Sequence, residues 1–142
     1  MLKKLFNPGT YNNNIDLSLL ILRLVFGALM ITHGWGKWLK LIGDDPIKFS
    51  DPLGVGVFAS LALAVFAEVF CSMLLIFGAA TRLASIPLII TMAVAAFIVH
   101  AEDALQDKEM ALLYLTVYLA IAISGSGKYA LDKFIYDKIS KQ

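Results

Sequence analysis

The sequence has little cysteine and no excess of either charge, and each shortage removes a class of function. A single cysteine, Cys71, excludes an internal disulfide, a Cys-x-x-Cys redox pair and a cysteine-based zinc site within one chain. The 12 basic and 11 acidic residues leave a net charge of +1, so no polycationic surface indicates a nucleic-acid partner. No haem, iron–sulfur or flavin motif occurs, so redox chemistry requires a bound cofactor or a partner.

Apolar residues are what the sequence has in abundance. They make up 59% of the 142 residues against 16% charged, whereas soluble domains average about 45–50% and about 25%. Four apolar segments have close to the roughly 20 residues that cross a bilayer, at about 17–38, 55–78, 83–100 and 109–125. No alternating strand pattern interrupts them, and open sheets cannot stand in lipid. We predict an all-α integral membrane four-helix bundle that forms one domain over residues 1–142.

The distribution of Lys and Arg predicts the orientation. With four spans, both termini lie on the same side as the loop between the second and third spans. That side carries Lys3, Lys4, Arg82, Lys128, Lys133, Lys138 and Lys141, and the other carries Lys37, Lys40, Lys48 and Lys108. The excess favours cytoplasmic termini. Residues 129–139 mix apolar side chains with lysines, as is typical of a short interfacial helix at the C-terminus.

Two opposite charges within the first two spans predict an intramembrane ion pair. A charge inside the bilayer costs at least about 2.5–3.5 kcal/mol on insertion scales, so such residues are usually paired. At 1.5 Å per residue, Arg23 lies about 10 Å from Leu17 and Glu68 lies about 15 Å from Gly78, both measured from the cytoplasmic side. We therefore expect Arg23 to pair with Glu68. The pair either fixes helix register or handles protons or a ligand, and a protonated Glu68 is the alternative.

Four further ionisable residues are expected to line one polar pocket at the outer face. His33 and Lys37 lie near the outer end of the first span, His100 closes the third, and Glu109 opens the fourth. Ionisable groups gathered in a partly apolar cavity mark a functional site, and histidine titrates near neutral pH. The alternative for each histidine is an interfacial side chain. Two histidines could bind a metal, but no helical i, i+4 ligand pair occurs, so we expect no metal, and no catalytic residue is assigned.

The tryptophans and the cysteine each allow two interpretations. Trp35 and Trp38, next to Lys37, fit an interfacial aromatic belt, and stacking on a quinone ring is the alternative. Cys71 lies one turn from Glu68, where a small packing residue is the simpler interpretation. We assign it no chemistry.

An ordered set of motifs along the four spans resembles the DoxX family over nearly the whole chain. The motifs are Arg23-Leu-x-x-Gly27, His33-Gly34-Trp35-x-Lys37, Glu68, Gly78-x-x-Thr81-Arg82-Leu83, His100, Glu109 and Gly125-x-Gly127-x-Tyr129-x-Leu131-Asp132. The family's polar residues carry over onto Arg23, His33, Lys37, Glu68, Arg82, His100 and Glu109. Each motif is short, but their order on four spans is specific.

The resemblance implies a small bacterial inner-membrane protein. Relatives in the family look like subunits of thiosulfate:quinone oxidoreductase or of a terminal quinol oxidase, and others act in thiol and oxidative-stress defence. We therefore expect a quinone-interacting subunit of a membrane oxidoreductase complex, in which redox subunits and the bilayer are partners. The resemblance does not fix a cofactor: either a quinone carries the electrons or a partner subunit holds the redox centre. His33 and His100 are the expected hydrogen-bond partners of the quinone oxygens, with Glu68 or Glu109 as proton acceptors. The alternatives are a binding or transport module for a small molecule or proton, and a non-catalytic assembly subunit.

Overall fold

A computed structural model describes residues 2–141, and those residues form helices and loops without a strand. The helices are α1 (Leu2–Leu5), α2 (Asn13–Ile42), α3 (Val57–Phe77), α4 (Thr81–Val99), α5 (Leu105–Ser124) and α6 (Leu131–Ser140). The all-α prediction is confirmed.

The four long helices α2 to α5 pack into a bundle. Within the described residues, α2, α3 and α4 are the helices long and apolar enough to cross a membrane. The fourth long helix, α5, has 20 residues but carries Asp107, Lys108 and Glu109 near its start. It packs along α4 and also contacts α2, so it completes the bundle beside the three apolar helices.

The distribution of polar and apolar side chains is that of a protein dissolved in lipid. Large apolar side chains face outward, among them Phe58, Phe77 and Phe97, which are exposed. Arg23 and Glu68 expose 0% and 2% of their surface and lie inside the bundle. Ionisable groups in membranes face the bundle interior because lipid does not solvate them.

The core consists of two apolar clusters. The larger one includes Met30, Leu75, Leu88 and Tyr118, and the buried Cys71 packs within it. The second lies between α2 and α3 toward the carboxyl end of α2. It is formed by Leu61, Val65 and Val69 with Trp38, Leu41, Ile47 and Phe49 packed against them.

Two of the bundle helices contain a π-helical turn. Phe66–Cys71 interrupts α3, and Ala95–Val99 forms the last part of α4. A π turn changes the directions in which neighbouring side chains point, and such turns are frequent at functional sites. The turn in α3 carries Glu68 and packs against α4. These irregular turns therefore border the region where the sequence places polar groups inside the bilayer.

Candidate functional site

The Glu68 carboxylate pairs with Lys37. The Lys37 Nζ donates to Glu68 Oε1 at 2.5 Å, with the Lys37 side chain 30% exposed and that of Glu68 2% exposed. Gly34, one turn before Lys37, permits this approach of α2 to α3, because a Cβ there would lie 2.8 Å from the Glu68 Cβ. Within residues 2–141, Glu68 Oε2 has no hydrogen-bond partner. A buried carboxylate thus has one satisfied oxygen and one free to accept a donor.

The expected Arg23–Glu68 ion pair is wrong. The Arg23 Nη2 donates to the Tyr129 carbonyl at 2.5 Å, and Nη1 lies 3.5 Å from the Leu75 carbonyl. Arg23 is therefore level with Leu75, which is seven residues, or about 10 Å, along α3 from Glu68. The two charges lie at different depths, and backbone carbonyls of α3 and of the C-terminal segment take the place of a carboxylate beside Arg23.

A cavity of about 180 Å³ contains three of the four residues expected in the outer polar pocket. His33, Lys37 and His100 line it, together with Glu68 and Asp107. The basic, acidic and imidazole groups of α2, α3, α5 and the end of α4 thus meet in one space.

Glu109 does not line this cavity, which corrects the fourth member of the expected pocket. The side chains that α5 contributes are those of Asp107, Met110, Ala111 and Tyr114. Their spacing of three to four residues defines one helix face, and Glu109 lies about 200° around the helix from Asp107. Asp107 is consequently the acidic residue that α5 contributes.

The two histidines are held by different contacts. The His33 ring packs edge-on against Tyr114 with centroids 5.8 Å apart. The His100 Nδ1 lies 2.7 Å from Asp103 Oδ2. Because an ionised carboxylate only accepts hydrogen bonds, Asp103 favours the form of His100 that donates from Nδ1. The remaining ring nitrogen, Nε2, is then available to another partner.

A larger cavity of about 500 Å³ shares part of its wall with the smaller one. Lys37, Glu68, Ala95 and His100 line both cavities. The rest of the larger lining is mainly apolar, and it includes Phe49, Pro52, Leu53, Leu63, Ala64, Phe66, Pro87, Ile90, Val94 and Val99. Ligand sites typically measure about 300–1,000 Å³ and combine apolar walls with a few polar groups. The larger cavity has both properties.

The loop between α2 and α3 covers one side of the larger cavity, and Asp51 fixes its end. The Asp51 carboxylate accepts from the Ser60 hydroxyl at 2.7 Å and from the amides of Gly56 and Val55 at 2.8 and 3.0 Å. The hydrogen bond from Ser60, followed by that from Gly56, lowers the pKa of the Asp51 carboxyl. The loop is thereby held at the start of α3.

Neither the tryptophans nor a cluster of metal-binding side chains contributes to this site in the described residues. Trp35 is exposed, and Trp38 packs edge-on against Phe70 with centroids 5.6 Å apart. Neither tryptophan lines the cavities, so they give no support to stacking on a ring bound there. No group of three or more His, Cys, Asp or Glu side chains suited to a metal ion occurs in the described part of the chain.

Sequence reasoning missed Asp103 and Asp107 as neighbours of the histidines. Both belong to the polar segment between the third and fourth spans, where a charge is normally solvated. For Asp107 a signal existed, since extending the spacing of Met110, Ala111 and Tyr114 backward along the helix leads to it. For Asp103 no periodic signal exists, because it lies in a turn.

Comparisons with known proteins agree with this architecture. The DoxX family model matches residues 18–101, a range that contains Lys37, Glu68 and His100. An uncharacterized protein of Haemophilus influenzae is 33% identical over 127 residues, which cover 84% of this chain and 92% of that protein.

Two named relatives match over a similar length. The Bacillus subtilis protein "Putative oxidoreductase CatD" is 27% identical over 126 residues, covering 88% of this chain and 92% of its own. The Escherichia coli protein "Inner membrane protein YqjF" is 28% identical over 127 residues, covering 87% of this chain and 95% of its own. No solved structure matches the chain significantly.

Proposed function

The chain belongs to the DoxX family of membrane proteins, and we propose that it is a quinone-interacting subunit of a membrane oxidoreductase complex. One observation carries the proposal: the Lys37–Glu68 pair lies on the wall of an apolar cavity of about 500 Å³, and Glu68 Oε2 lacks a partner among the described residues. A quinone ring needs an apolar space with a hydrogen-bond donor and an acceptor beside its oxygens. The cavity supplies the space, Lys37 the donor and Glu68 the acceptor.

These side chains suit both oxidation states of the ring. The Lys37 ammonium donates to a quinone carbonyl oxygen, and Glu68 Oε2 accepts from a quinol hydroxyl. His100, held at Nδ1 by Asp103, offers its other ring nitrogen to the second oxygen. Interconversion of quinone and quinol moves two electrons and two protons. The chain handles the protons, and a redox centre of a partner subunit exchanges the electrons.

The position of the cavity gives a quinone tail access to lipid. Phe66, Ile90 and Val99 line the cavity and are also exposed on the outside of the bundle. The ring therefore enters between α3 and α4, and the apolar tail stays in the bilayer. This route is consistent with a substrate that is dissolved in the membrane.

The names of the relatives and the charge distribution support the proposed membrane location and orientation. The name of the Bacillus subtilis relative contains the word oxidoreductase, and that of the Escherichia coli relative places that protein in the inner membrane. We assign this chain to the inner membrane by its similarity to the Escherichia coli relative, and its termini to the cytoplasm from the excess of Lys and Arg on that side. In a Cys71→Ser background, Lys48→Cys should label in spheroplasts with an impermeant maleimide. Lys138→Cys should label only after lysis, and the reverse pattern inverts the orientation.

Quinone binding is tested by filling the larger cavity. Ile90→Trp places a bulky ring in it, whereas Ile86→Trp, one turn earlier on α4, changes an exposed position that does not line it. We expect Ile90→Trp to weaken the binding of decylubiquinone to the purified protein in nanodiscs by at least tenfold, while Ile86→Trp binds like the parent. Isothermal titration calorimetry gives both affinities.

The same preparations separate the proposal from its alternatives. Equal affinities in the two variants, or no binding by the parent, would contradict the proposed quinone site. Proton flux into vesicles without quinone would then favour a transport module. Retention of partner proteins with neither property would favour an assembly subunit.

A further inference from the structure

The two cavities differ in chemistry although Lys37 and Glu68 lie on the wall between them. We infer that the smaller cavity is a water-filled proton path from Glu68 to the aqueous phase at the amino end of α5, and that the ligand is confined to the larger cavity. The role of the path in quinone chemistry rests on the proposed function. The presence of water in it does not.

The size and lining of the smaller cavity suit water. Its 180 Å³ is well above the roughly 10–15 Å³ that one water needs, so it accommodates several waters. That volume is below the roughly 300 Å³ at which ligand sites begin. His33 and Asp107 provide the polar partners that a buried water needs, together with the Lys37–Glu68 pair.

The path is open at one end and closed at the other. His33 and Asp107 are exposed, so the lining reaches the surface beside them. Met30, Met92 and Tyr114 line the same cavity and are buried, and they belong to the larger apolar core cluster. Water that enters beside Asp107 therefore reaches Glu68 and does not continue through the bundle. Such a closed end lets protons reach the site without leaking across the membrane.

The other three helices of the bundle each place titratable or charged groups near Glu68. These groups are Lys37 and His33 of α2, His100 at the end of α4, and Asp107, Tyr114 and Tyr118 of α5. Lys37 occupies Oε1, and Oε2 has no partner among the described residues, so the proposed path assigns the exchanged proton to Oε2. When a bound ring hydroxyl gives up its proton, its O–H bond breaks and a new O–H bond forms on Oε2. Transfer of that proton to water restores the carboxylate, and no electron moves in either step.

The water path is tested by cysteine accessibility in a Cys71→Ser background. Ala111 lines the smaller cavity, and Ala120 is an exposed position on the outer surface of the same helix. Charged methanethiosulfonates react only with thiols that water reaches. We expect Ala111→Cys to react at least tenfold faster than Ala120→Cys. Met110→Cys, which also lines the cavity, serves if Ala111→Cys does not fold.

Added decylubiquinone distinguishes failure of the path from failure of the proposed function. It should slow the reaction of Ile90→Cys with N-ethylmaleimide and leave the modification of Ala111→Cys unchanged. If neither Ala111→Cys nor Met110→Cys reacts while decylubiquinone protects Ile90→Cys, the water path is wrong and the quinone site is supported. A reactive Ala111→Cys without protection of Ile90→Cys supports the path and overturns the quinone site. Protection of both positions contradicts the separation of the two cavities.

Discussion

The carboxylate of Asp132 accepts a 2.9 Å hydrogen bond from the backbone amide of Thr81, 51 residues earlier in the chain. Its other oxygen accepts from the amide of Ala80 at 2.6 Å. Ala80, the residue before α4, has no side chain that caps the helix, so Asp132 performs this function from a distant part of the sequence. The Asp132 amide in turn donates to the Gly78 carbonyl at 2.8 Å. The start of α6 is thus joined to the bundle.

Replacing this cap should destabilise the protein. Asp132→Ala removes two hydrogen bonds at a helix start, and loss of an ordinary cap costs about 0.5–2 kcal/mol. It also removes a carboxylate whose negative charge favours the buried Arg23 guanidinium, so we expect a loss of at least about 2 kcal/mol. The measurement is unfolding by sodium dodecyl sulfate in mixed micelles.

The matched control for this substitution is Asp137→Ala in the same helix. Asp137 pairs with Lys133 at the surface, and such exposed pairs contribute about 0–1 kcal/mol. Equal losses from the two substitutions would show that α6 contributes through its surface charge and not through the cap.

The helices could be predicted from the sequence because their cause is local. The apolar run from Val57 to Phe77 can be satisfied in lipid only by a helix, and the other long helices follow the same logic. The shared level of His33, Lys37 and His100 could be predicted by counting residues from the helix ends. In a spanning helix, the position of a residue along the helix sets its depth in the membrane.

The partners of Arg23 could not be predicted in this way. They are carbonyl oxygens of Leu75 and Tyr129, and every residue carries such a group. Hydropathy does not place the segment after α5, whose backbone returns to the bundle through Tyr129 and Asp132. The tertiary path of a polar segment depends on hydrogen bonds that composition does not reveal.

A double-mutant cycle should identify Lys37 as the partner of Glu68. Removing one member of a buried pair costs about 3–5 kcal/mol because the other charge remains buried. Lys37→Leu should therefore destabilise the protein strongly, and adding Glu68→Leu should recover part of the loss. We expect a coupling free energy of at least about 1 kcal/mol in the unfolding assay.

The cycle of Arg23→Leu with Glu68→Leu is the control. The two residues share no hydrogen bond in the structure, so their losses should add to within about 0.5 kcal/mol. Strong coupling in this cycle, with additivity for Lys37, would restore the pairing expected from the sequence.

The loop beside the larger cavity should be sensitive to acid through Asp51. The folded state holds the pKa of this carboxyl below its ordinary value, chiefly through the hydrogen bond from Ser60. Its stabilising contribution is therefore fully present above the unfolded pKa of about 3.9 and is lost as the pH falls through the lower folded pKa. Carbon-13 NMR of labelled aspartate measures this titration in micelles.

Ser60→Ala tests whether the hydrogen bond from Ser60 is what lowers the pKa of Asp51. We expect it to raise the pKa of Asp51 toward the ordinary value, since it removes the largest contribution. Ser50→Ala, in the same loop but not bonded to Asp51, should leave the titration unchanged. An unchanged Asp51 pKa in Ser60→Ala would contradict the assigned hydrogen bond.

Two glycines in one turn of α2 provide the last prediction. A Cβ added at Gly34 would lie 2.8 Å from both the Glu68 Cβ and the Val69 Cγ2, whereas a Cβ at Gly36 meets nothing within 4 Å. Gly34→Ala must therefore push α2 away from α3 at the layer of the Lys37–Glu68 pair. We expect it to destabilise the protein by about 1–3 kcal/mol, as overpacked cores do.

Gly36→Ala changes the same residue type two positions away, and it should stabilise the protein where Gly34→Ala destabilises it. Alanine favours a helix over glycine by about 1 kcal/mol, and the open space at Gly36 imposes no steric cost. Gly34→Ala should also weaken decylubiquinone binding, because the donor and acceptor on the wall of the larger cavity move apart, while Gly36→Ala should bind like the parent. If Gly34→Ala kept both stability and affinity, close approach of the two helices would not be what positions Lys37 against Glu68.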